Sequence, residues 1–194
     1  TLLDFAKSYP QVKQNIHYKP MEELMQMLER NELDFVLAFK PSTRHDNIES
    51  HVLFDNHLAA IVRNGHPLAN KDKITIADLE RYDIALPAKG LQARNAFDRV
   101  LSRYFSQFKV RIELNEVNIL LKLIKQSDLV TVLSEATTYS EEGVKAISID
   151  FPDNEMEGCV HLRKDVYRKQ SVKEFIRILS ESNAVKQRVN EWLK

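Results

Sequence analysis

A chain of 194 residues with 43% apolar side chains is long enough for one substantial domain or two small lobes. Its 28 lysines and arginines balance 28 aspartates and glutamates, so no broad positive field exists for phosphate backbones, and these residues alone are expected to bind DNA poorly. There is no apolar run of about 18 residues, the opening TLLDFAKSYPQ lacks a signal-like core, and a lone cysteine, Cys159, cannot form an internal disulfide. A soluble, cytoplasmic chain with no membrane contact is expected.

In chain order, Leu2, Phe5, Ala6 and Tyr9 share one helical face that Pro10 ends, and VKQNIHYK alternates as a strand does. Pro20 suits a first helical position, with Glu22 and Glu23 in the positive first turn and Met21, Leu24, Met25 and Leu28 as the apolar stripe. LDFVLAF, 33–39, is a continuous apolar strand of the kind buried on both faces. The run 48–63 reads as one or two extended segments, His66-Pro67 as a turn, 75–81 as a short helix with Thr75 as N-cap and Asp78 three residues on, and DIALP as a strand.

A helix over 91–106 turns Ala96, Phe97, Val100, Leu101, Tyr104 and Phe105 inward, which makes them core rather than a base-stacking platform, and FKVRIEL follows as a strand. Asn115 is expected to cap a helix carrying Val117, Leu120, Leu121 and Ile124, before the β-branched strand LVTVL and a short helix capped by Ser134. VKAISI and EGCVHLR are late strands, and SVKE at 171–174 is a capping box opening a helix that runs, with a break near Asn183, to Trp192. This alternation makes an α/β domain, most economically with parallel strands linked by helices.

The catalytic templates fail. Glycines at 65, 90, 143 and 158 make no phosphate loop, dinucleotide fingerprint or nucleophile elbow, so no bound cofactor is expected. His51, Asp55 and His57 share strand parity, but residues six apart on a strand are about 20 Å apart, too far to ligate one ion unless a turn at Asp55-Asn56 folds the strand back. The basic run RKDVYRKQ, 163–170, reads as solvated charge.

The order and spacing of four stretches resemble the effector-binding, or regulatory, domain of LysR-type transcriptional regulators over essentially the whole chain. They are FAKSYPQVKQNIHY, MLERNELDFVLAF, HPLA at 66–69 followed by ITIADLERYDIALPAKG, and NEVNILLKLIKQSDLVTVLSEA. Ser127 and Leu129 stand where the family has turn glycines, and the family's domains open with a strand and a ligand-touching loop that would precede Leu2. The resemblance implies a periplasmic-binding-protein-like (type 2) fold: two α/β lobes joined by two crossover strands, with a small-molecule effector bound between them. Lobe I would take 1–62 and 161–194 and lobe II 63–160, crossing in AAIVR and returning in CVHLR. It further implies DNA contact only through an upstream winged helix-turn-helix, and a homodimer or tetramer in which 2–18 of one subunit faces 117–133 of its partner. No enzymatic activity is expected; a transporter's solute-binding protein and a bilobal enzyme are the rival readings.

In open parallel sheets ligands collect outside the carboxyl ends of the strands, where helix N-termini offer free N–H groups. Those ends are 39–43, 86–92, 114–118 and 133–137. Thr43, Asn115, Asn118 and Ser134 offer hydrogen bonds there, Ala88 and Lys89 line one loop, and Lys40 and Lys89 could neutralise an anion. Glu116 and Glu135 already place negative charge in first turns, which argues against a strongly anionic ligand.

Overall fold

The computed structural model describes residues 1–41, 43–104, 107–152 and 154–181. The elements run α1 (Leu2–Ser8), α2 (Met21–Glu29), β1 (Val36–Phe39), β2 (Ile48–Phe54), β3 (Leu58–Arg63), β4 (Lys73–Ile74), α3 (Ile76–Leu79), β5 (Asp83–Pro87), α4 (Gln92–Leu101), β6 (Lys109–Leu114), α5 (Val117–Lys125), β7 (Thr131–Ser134), β8 (Val144–Ile149), β9 (Gly158–Arg163) and α6 (Gln170–Leu179). Single 3-10 turns lie at Pro67–Asn70 and Glu135–Thr138.

Two compact units divide the chain: Thr1–Asp55 with the chain from Glu157 onward, and Asn56–Met156. The chain passes between them a little before the expected 62/63 and 160/161 boundaries. LAAIVR and CVHLR each lie inside a sheet, the first in the second unit and the second in the first.

The first unit holds an antiparallel sheet in the order β1-β9-β2, where parallel strands were the simpler expectation. Period-two alternation sends Val160 and Leu162 to one face, against Val172 and Ile176 of α6. Val36 and Ile48 meet Leu24, Met25 and Leu28 of α2 on the other. Residues 12–19, read as a strand, join no ladder and run between α1 and α2 without regular hydrogen bonding. A cavity of about 380 Å³ lies beside this run, walled by core side chains such as Phe5, Leu24, Val36, Val172 and Phe175. None of the seven expected effector residues lines it.

In the second unit a sheet of order β4-β8-β3-β7 is mixed: β3 is antiparallel to β7 and β8, and β4 is parallel to β8. The parallel pair β5-β6 extends it, since Ile84 bridges Val130 in parallel and the Ala85 N–H donates to the Val130 carbonyl at 2.9 Å. Helix α5 covers one face, with Leu120, Leu121 and Ile124 against Ala59, Ile61, Ala85 and Leu133. The Thr75 capping box forms in full, and bonds from the Thr75 main chain, Lys71 and the Thr75 hydroxyl hold the Asp78 carboxyl down to about 2.

Several helix starts differ from expectation. Helix α6 begins at Gln170 with Lys169 at the N-cap, so Ser171 is inside the helix and caps nothing. Glu116, not Asn115, occupies the N-cap of α5: its carboxylate accepts from the Asn118 N–H at 3.1 Å, a stronger acceptor winning the same role. It therefore stands before the first turn rather than in it. Helix α4 stops at Leu101, which leaves Tyr104 38% exposed rather than in the core. Phe105 and the stretch from Asn183 to Trp192 lie outside the described residues.

Candidate functional site

Three of the expected loops converge at one edge of the second unit. Strands β5, β6 and β7 run parallel there, so their carboxyl ends finish side by side. The Ala88 N–H donates to the Leu114 carbonyl at 2.7 Å, which seats Ala88 next to Asn115. The register that pairs Ile84 with Val130 carries Ala88 to the level of Ser134. Lys40 and Thr43 follow β1 in the first unit, where the Lys40 ammonium donates to Glu157 Oε2 at 2.7 Å; that bond raises its pKa and leaves it already paired.

The groups at this edge have distinct chemistry. Lys89, Asn115 and Asn118 are exposed. Asn118 gives both its main-chain N–H and its side-chain amide to Glu116, so the N-terminus of α5 is closed by a carboxylate. Helix α4 is the opposite case. Its N-cap is Leu91, which makes no side-chain cap bond, and its first turn holds no acid. Ser134 holds the N-cap position of its 3-10 turn without making a cap bond. Its side chain is 5% exposed, and Oγ has no partner among the described residues. A buried hydroxyl left unpaired costs about 1–3 kcal/mol and gains outright from a polar ligand atom.

The chain's least expected charge lies beneath the loop between β5 and α4. Arg94, 7% exposed, donates from Nη1 to the Pro87 carbonyl at 3.1 Å and to Glu113 Oε1 at 3.0 Å, and from Nε to Asp98 Oδ1 at 2.8 Å. Burial pulls its pKa down, but the bonds to Asp98 and Glu113 outweigh that and raise it, so it is held charged. The loop it underlies turns at Gly90, at φ +92°, where the Gly90 N–H donates to Asn95 Oδ1 at 3.2 Å. Arg94 was missed by motif reading, yet it left a signal: it sits three residues before Phe97 and seven before Leu101, on the apolar stripe of α4, where an unpaired charge would be intolerable.

The other candidates resolve simply. His66 is 2% exposed; the Leu68 N–H donates to its Nδ1 at 3.1 Å, and its Nε2 lies 3.2 Å from the Asp128 carbonyl and donates to it. Both ring nitrogens are thus consumed in a turn, and burial lowers the pKa, which leaves no free base. Cys159 is buried and its thiol is pushed up to about 11, first by burial and then by the Glu157 charge, so it is no thiolate nucleophile. Among the described residues no group of His, Cys, Asp and Glu side chains is placed to hold a metal, and no helix is long and apolar enough to cross a membrane.

The chain is 23% identical over 167 residues to the malolactic fermentation system transcriptional activator of Lactococcus lactis, covering 84% of this chain and 57% of that one. It is 27% identical over 146 residues to the RuBisCO operon transcriptional regulator of Allochromatium vinosum, covering 73% and 48%. The chain thus spans about half the length of these curated relatives. Its fold matches the regulatory domain of Synechocystis PCC6803 CcmR, solved in complex with 2-PG, with a TM-score of 0.79 at 24% identity over 92% of this chain and 86% of that one. The architecture is accordingly the two-lobed, periplasmic-binding-protein-like α/β fold. The family model of the LysR substrate binding domain matches residues 1–184, and the chain belongs to that family.

Proposed function

We propose that this chain is the ligand-sensing part of a LysR-type transcriptional regulator, which binds a small-molecule effector without turning it over and passes the result to a DNA-binding domain elsewhere in the full-length protein. The observation that carries the reading is the family match over residues 1–184 together with the convergent edge of β5, β6 and β7. We assign effector contacts to Ala88, Lys89, Asn115, Asn118 and Ser134 in the second unit and to Lys40 and Thr43 in the first. The positive end of α4, whose first turn holds no acid, and the buried Ser134 hydroxyl, unpaired among the described residues, support a ligand with a polar, hydrogen-bond-accepting group. The relatives named above are transcription regulators, which favours this reading over a transporter's solute-binding protein and over an enzyme.

Regulation of this kind needs an effector that binds one state of the regulator better than the other. It places the protein in the cytoplasm with its DNA. The subunits pair antiparallel, α1 and the run to Tyr18 of one against α5 and β7 of its partner. Exposed apolar side chains on both stretches support this: Leu3 at 75% and Tyr18 at 77% on one, Ile119 at 53% on the other. Thermal-shift screening of the full-length protein against small metabolites, 2-PG among them, tests the binding. A melting temperature that no metabolite moves would count against it. Sedimentation of a monomer at micromolar concentration would remove the pairing.

A further inference from the structure

We infer that Arg94 is a positioning residue for the effector loop, fixing the shape of Ala88–Leu91 through the carbonyl of Pro87; this rests on the placement of the effector at that loop. The side chain stands where a cation is least welcome. It is in the first turn of α4, near the positive end of the helix dipole, and it is buried. A residue held there against both penalties must be satisfied by its bonds, and each bond goes to a different element: Pro87 ends β5, Glu113 lies one residue from the end of β6, and Asp98 is one turn along α4 itself. The guanidinium fork is suited to this, because its separate N–H groups reach acceptors in different directions at once, which a lysine ammonium at the end of a flexible stem does less rigidly.

The loop above has few other anchors. After Pro87 the chain makes the Ala88–Leu114 ladder bond, turns at Gly90 on the Asn95 side chain, closes where the Leu91 N–H donates to the Ala88 carbonyl at 3.2 Å, and enters α4 with no side-chain cap. Successive residues of one helix, Arg94 and Asn95, therefore hold the loop at its start and at its turn. Because Arg94 also holds Glu113, the ends of β5 and β6 are tied together below the residues that face the effector. Loop shape and the spacing of Ala88 from Asn115 are thus set before any ligand arrives, the condition under which binding costs least in ordering.

The test compares the full-length protein with Arg94→Lys and with the double variant Arg94→Met/Glu113→Met. Methionine at 94 fills the buried site of the guanidinium with an apolar side chain of similar length, Glu113, 44% exposed, gives up only a half-exposed charge, and Asp98, 43% exposed, stays solvated. The readouts are urea midpoints and amide exchange at Ala88, Gly90 and Leu91, referenced to Ala85 in the preceding strand β5. Positioning predicts that the double variant recovers its urea midpoint yet exchanges about tenfold or more faster at the three loop amides, with Ala85 unchanged, because the Pro87 carbonyl still lacks its donor. Arg94→Lys, should the double variant not fold, is expected to show the same selective loosening to a smaller extent. Loop exchange that follows Ala85 in both variants would overturn the assignment and leave Arg94 a purely structural charge. No effector enters the measurement, so it is decided whether or not the proposed function stands.

Discussion

His161 should make the protein lose stability on mild acidification. Its side chain is fully buried on the α2 face of the first unit's sheet, with Ser50 Oγ 2.7 Å from Nδ1. Burial pushes its pKa down to about 4, and the charges of His45 and His51 push the same way, while the main chain at Ala38 and Phe39 pulls against them. In the unfolded chain the group titrates near 6.5, so between about pH 6.5 and pH 4 the unfolded state binds the proton and the folded state does not. The contribution is therefore complete above pH 6.5 and falls as pH drops through that window. At 1.36 kcal/mol per unit, the loss approaches about 3 kcal/mol once pH is below both values. Urea titrations followed by circular dichroism at a series of pH values give the slope. His161→Asn removes the titration and keeps an acceptor for the Ser50 hydroxyl. The variant, though less stable at pH 7.5, is expected to lose about 3 kcal/mol less than the natural protein on going to pH 4. Equal slopes in the two proteins would refute the reasoning.

Thr75→Ala removes the acceptor of the Asp78 N–H and one of the bonds that hold the Asp78 carboxyl down, and is expected to cost about 1 kcal/mol, read as a lowered urea midpoint. Ser134→Ala deletes a buried hydroxyl without a partner, so stability should stay level or rise by up to about 1–3 kcal/mol while effector affinity falls; a marked loss of stability would mean that the hydroxyl is bonded after all. Gly90→Ala places a Cβ in open space but forces a φ of +92° on an L side chain, so its cost of about 1–3 kcal/mol is backbone strain alone, and Gly90→Asn should recover part of it.

The elements that were legible in the sequence are those whose signal is local. The Thr75–Asp78 box, the stripe Leu120-Leu121-Ile124 and the strand DIALP follow from spacing, because helix and strand periods are set by short-range geometry. What could not be read is set by partners far along the chain. VKQNIHYK has a strand's alternation, yet a strand exists only where another edge bonds to it, and residues 12–19 have no such ladder. The sign of pairing in the first unit was hidden for the same reason: β9 comes more than a hundred residues after β1 and β2 and inserts between them antiparallel. In the candidate site, residue types pointed to the strand ends that the fold brings side by side, but which side chain was already spent did not show. Asn118 is taken up by Glu116 and Lys40 by Glu157, while Arg94, absent from every motif, carries the loop.

The central claim is that effector binding in this domain alters DNA binding by the protein that contains it. The direct measurement is the affinity of the full-length protein for its operator DNA at fixed salt, with and without a saturating metabolite identified by thermal shift. Coupling of about 1–3 kcal/mol predicts a change of about 5–150-fold, and operator DNA must change the metabolite's affinity by the same factor. An operator affinity that is the same with the site empty and full, while the metabolite binds tightly, would contradict the account.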